Sequence, residues 1–61
     1  MAPNEAPIVT AQVLLRRGLA DDVIRRHLTH TWPLDERHCD AAIETARFLI
    51  DQEDAARERV H

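Results

Sequence analysis

The sequence has no lysine, serine or tyrosine, only one cysteine and one glycine, and two aromatic residues, Trp32 and Phe48. Each scarcity closes off a class of protein. A lone Cys39 forms no internal disulfide, which excludes the small disulfide-stapled secreted scaffold. Unbroken apolar runs are only a few residues long, so no membrane span is expected. With Gly18 the only glycine there is no Gly-rich loop to cradle a phosphate. A chain of 61 residues also encloses no large substrate cavity, because a domain of that size buries only about 60% of the surface its unfolded chain exposes. The start, Met1-Ala2-Pro3-Asn4-Glu5-Ala6-Pro7, lacks the basic start and apolar stretch of a secretory signal. The expectation is one cytoplasmic domain without cofactor or small-molecule substrate, stabilised by helical packing or by oligomerisation.

What is present is arginine, alanine and acid. All 8 basic side chains are Arg, a bias that points to a GC-rich genome and hence to a bacterium or phage as the source. The net charge of −3 is unevenly placed. Residues 1–32 carry four Arg against Glu5, Asp21 and Asp22, whereas residues 33–61 carry four Arg against eight acids. An acidic whole disfavours sequence-independent nucleic-acid binding, whose affinity comes from neutralised phosphates, but it leaves room for a local basic face.

The hydrophobic pattern reads as all-α, a small three-helix domain with a long C-terminal helix. Residues 1–6, with Pro3 and no apolar period, read as a flexible N-terminal arm, and residues 7–61 as the single domain. Pro7 suits a first helical turn, and Ile8, Ala11, Leu14 and Leu15 then share a face until Gly18 ends the helix. A second helix begins near Asp21 with the stripe Ala20, Val23, Ile24, His27, Leu28 and Thr31, and stops before Pro33. Asp35 is placed to cap a third helix from about Glu36, with Leu34 packed on Cys39 as a staple. Its buried stripe is Cys39, Ala42, Ile43, Ala46, Leu49 and Ile50. Glu53 would continue that stripe, so the end of the helix reads as solvated or held by a partner.

Gly18 at a tight turn between two helices, Leu19 directly after it and Ile24 six positions on make residues 10–29 resemble the helix-turn-helix of bacterial and phage regulators. The resemblance implies that residues 20–29 read DNA, with Arg25 and Arg26 on bases or phosphates and Arg16 and Arg17 on the backbone. The sequence departs from that pattern at Leu14, where a small residue is usual, and at Arg17, where an apolar one is. Asp21 and Asp22 would also meet phosphate repulsion at the start of a recognition helix.

Metal binding and catalysis are not expected. His27, His30, His38 and Cys39 match no zinc spacing, and adjacent helical residues such as His38 and Cys39 point about 100° apart. That adjacency also fails a nucleophile and its base, and no third orienting group is in view. Phe48 is the outlier. On the helical wheel it falls opposite the buried stripe, beside Arg37, Ala41, Glu44 and Asp51. Those five residues form the candidate interface of a small non-enzymatic interaction protein, acting as a homodimer or by docking on a host protein. DNA binding through Arg16, Arg17, Arg25 and Arg26 is the alternative.

Overall fold

The computed structural model describes residues 5–58. They form three helices, α1 (Glu5–Arg16), α2 (Asp21–Thr31) and α3 (Glu36–Glu58), with no strand among them, so the all-α reading with a long last helix holds. Residues 1–4 and 59–61, which include most of the expected arm, lie outside the described residues.

α1 starts two residues earlier than the expected Pro7, at Glu5. The first four N–H groups of a helix have no intrahelical acceptor, so a proline in the first turn loses nothing, and an acid there favours the helix dipole. The exit from α1 is a Schellman turn. Gly18 has φ of +82°, its N–H donates to the Leu15 carbonyl at 2.9 Å, and the Leu19 N–H donates to the Leu14 carbonyl at 3.3 Å. Trp32 is extended before Pro33, as the ring of a following proline requires. A tight turn around Pro33 then brings the Leu34 N–H within 2.8 Å of the Trp32 carbonyl. Asp35 caps α3 as expected, its Oδ1 accepting the His38 N–H at 2.8 Å.

The ion pairs show the helix directions. Arg47 of α3 bonds to Asp21 at the start of α2, and Arg25 lies 2.7 Å from Asp40, so α2 runs against α3. Pro7 and Ile8 border Leu34 and His38, while Arg16 reaches Glu53 at 2.6 Å, so α1 runs with α3. The shape is a thin slab, 42 × 25 × 15 Å.

The core is correspondingly light. Ala11, Ile24, Leu28, Cys39, Ala42, Ile43 and Ala46 are buried, with Ile8, Leu14, Leu15, Trp32 and Leu34 packed against them. No polar or charged residue is buried among the described residues. Four of those seven are Ala or Cys, so the helices approach closely but little apolar area is withdrawn from water. Two expected stripes are narrower than their wheels. On α2 only Ile24 and Leu28 are buried, and Ala20, Val23, His27 and Thr31 are exposed. A helix at the edge of a slab needs only one row of contacts. On α3 Leu49 is 36% exposed and Ile50 half-buried, because α2 begins at Asp21, level with Arg47, and beyond that point only α1 packs on α3.

Candidate interaction face

α3 carries its core row on one side and Phe48 on the other. Phe48 is 60% exposed, the most open of the large apolar residues among those described. Successive steps of four and three residues align Arg37, Ala41, Glu44, Phe48 and Asp51 on that outer face, continuing to Ala55 and Glu58. This is the row expected for the interface, and the fold brings its members together simply by keeping α3 helical throughout. All five are exposed.

The charges divide into two groups. Asp21, Asp40, Glu53 and Asp54 are engaged by arginines of the same chain: Arg47, Arg25 and, for the last two, Arg16. Gln12 adds a bond to Glu53 at 3.4 Å. On the Phe48 row, by contrast, Arg37, Glu44, Asp51 and Glu58 enter no ion pair among the described residues. Glu53 is therefore held by α1 and is not simply solvated. The wheel of a single helix does not show that Arg16 of a parallel neighbour arrives at that level.

The arginines of the DNA alternative are split by the same pairing. Arg16 and Arg25 are tied to acids of α3, and the Arg25 guanidinium is held above its usual pKa by the hydrogen bond and charge of Asp40. Arg17 and Arg26 are exposed and enter no ion pair among the described residues. Asp22 shares the exposed outer side of α2 with Arg26.

A feature the sequence did not disclose lies next to the Phe48 row. Pro7 and Ile8 of α1, Leu34, and His38, Ala41, Ala42 and Thr45 of α3 line a shallow, largely apolar groove of about 190 Å³. It exists because Pro7 and the small residues Ala41 and Ala42 leave space where the starts of the two parallel helices meet. Ala41 belongs to both features. No signal in the sequence marks such a groove, because it depends on the relative placement of two helices.

The remaining reactive groups are spread out. His27 and His30 are exposed on α2. His38 Nδ1 lies 2.6 Å from Asp35 Oδ1, and Cys39 is fully buried. Burial, followed by the charges of Asp40 and Asp35, raises the Cys39 thiol pKa above its ordinary value. No group of three His, Cys, Asp or Glu among the described residues is placed to hold a metal ion. No described helix is long and apolar enough to cross a membrane. No protein-family model matches the chain, and neither curated proteins nor solved structures show a significant match to it.

Proposed function

We propose that the chain is a small non-enzymatic interaction protein, bacterial or phage-encoded and cytoplasmic, which works by pairing the outer face of α3 with a second copy or with a host protein. The observation that carries this reading is Phe48, 60% exposed at the middle of the longest helix. A slab with so light a core gains more than a larger domain would from covering one more apolar surface. Aromatic residues are also the side chains most often found as binding anchors. Arg37, Glu44 and Asp51 around the ring, which enter no ion pair among the described residues, supply orientation to an interface.

Sedimentation from micromolar to millimolar concentration, with and without Phe48→Glu, tests it. The expected result is association in the parent chain and a folded monomer in the variant. A parent chain that stays monomeric and captures no host protein through this face in a pull-down at moderate salt overturns it.

Helix-turn-helix DNA binding is the second reading, favoured by the left-handed Gly18 turn and by Arg17 and Arg26, which enter no ion pair among the described residues. Against it weighs the engagement of Arg16 and Arg25 by acids of α3. DNA binding by this chain would be steeply salt-dependent and lost in the Arg25→Ala, Arg26→Ala double variant. A gel shift that is unchanged in that variant, with folding intact, removes this reading.

A further inference from the structure

The exposed ring of Phe48 and the open groove beside Ala41 lie on neighbouring sides of one helix, two turns apart. We propose that they are the two halves of one self-complementary contact: in an antiparallel, two-fold pairing of α3 with a second copy, each Phe48 seats in the groove at Ala41 and Thr45 of the other chain. The inference rests on the reading of the Phe48 face as an interface and adds the occupant, the direction and the register.

Direction follows from charge. A parallel two-fold pair sets every residue of the row against itself, so Glu44, Asp51 and Glu58 would each oppose the same acid. An antiparallel pair brings residues level, to within one residue or about 1.5 Å along the axis, when their numbers add to nearly the same total. Two totals stand for comparison. If Phe48 meets Phe48, then Arg37 meets Glu58 twice, but Glu44 also meets Asp51 twice, and both grooves stay empty. If Phe48 meets Ala41, then Arg37 meets Asp51 twice and the only like-charge contact is Glu44 with Glu44 at the axis. The second register halves the repulsion, retains both attractive pairs and fills the grooves. A volume of about 190 Å³ suits the guest, since a dry cavity of about 150 Å³ already holds a benzene ring. Small Ala41 is what gives the ring access, and Pro7 and Ile8 of α1 give it an apolar wall.

The pairing is isologous, so each partner contributes both a ring and a groove. The central Glu44 pair costs affinity, which makes this a weak, reversible dimer.

Charge-swap variants followed by sedimentation equilibrium, with helicity checked by circular dichroism, test the register. Arg37→Glu or Asp51→Arg alone should weaken association about tenfold, and the two together should restore most of it. Glu44→Gln should tighten it. Glu44→Cys should form an interchain disulfide across the axis, while buried Cys39 stays out of the reaction. A dimer rescued instead by Arg37→Glu with Glu58→Arg, and cross-linked through Phe48→Cys but not Glu44→Cys, overturns the register and leaves the interface reading intact. A parent chain that is monomeric at millimolar concentration overturns the self-pairing itself, and docking of another protein on Phe48 would then stand alone.

Discussion

At the residue scale, Asp35, Gly18 and Cys39 each make a separable prediction. Asp35 accepts the His38 N–H and faces its imidazole. The backbone bond from His38, then the side-chain bond, hold the Asp35 carboxyl below its ordinary pKa. A carboxylate depressed in the folded state contributes stability that is present above its unfolded pKa, near 4, and lost as pH falls through the folded value. Thermal stability should therefore fall below about pH 4, with part of that loss abolished in Asp35→Asn, which keeps an acceptor but not the titration. An identical acid limb in parent and variant, followed by circular dichroism, would show that Asp35 does not contribute. Gly18 is the second. A Cβ placed there meets nothing within 4 Å, so Gly18→Ala is penalised only by the left-handed backbone, about 1 kcal/mol. Gly18→Asn should cost less than Gly18→Ala, since asparagine tolerates that region better. Equal stability of parent and Gly18→Ala in urea would show that the turn relaxes. Cys39 is the third: with the thiol fully buried, a thiol reagent should label it only as the helices open, at a rate that follows stability across the variants described here.

At the element scale, what could be read from the sequence was what one helix decides by itself. Gly18, Pro33 and Asp35 end or begin helices through backbone geometry within a few residues, and all three act as expected. The wheel of α3 likewise put Phe48 outside and Cys39, Ala42, Ile43 and Ala46 inside, because a helical period needs no knowledge of the neighbour. What depends on the neighbour was not legible. Pro7 is buried against α3 although it reads as a helix start. Glu53 is partnered because α1 runs parallel to α3 and ends at its level. Val23 and His27 stay exposed because α2 lies at the edge of the slab. Arg16→Ala tests the α1–α3 connection. Its bond to Glu53 is exposed on both sides, so the expected loss is modest, about 0.2 to 1 kcal/mol in urea unfolding, and smaller still in high salt. A loss of several kcal/mol would mean that the pair fixes the direction of α1 and does not merely decorate it.

At the scale of the whole molecule, the core and the proposed interface form one energetic problem. A chain of 61 residues at ordinary stability per residue has about 3 to 9 kcal/mol to lose, and Leu28→Ala alone should remove about 2 to 5 of it from a core this thin. Association through Phe48 adds to the folded side only, so unfolding of the dimer must become concentration-dependent. For a dimer that dissociates as it unfolds, each tenfold rise in concentration should lift the melting temperature by about 5 °C, given the usual unfolding entropy per residue. Phe48→Glu removes the seat of that linkage without touching a buried residue. Its melting temperature should be independent of concentration and below that of the parent at high concentration, and the two should converge as the parent is diluted toward its monomer. Melting of the parent and Phe48→Glu across three decades of concentration measures both statements. A parent curve that does not move would mean that the folded slab is stable alone, and that the exposed ring serves some partner other than a second copy.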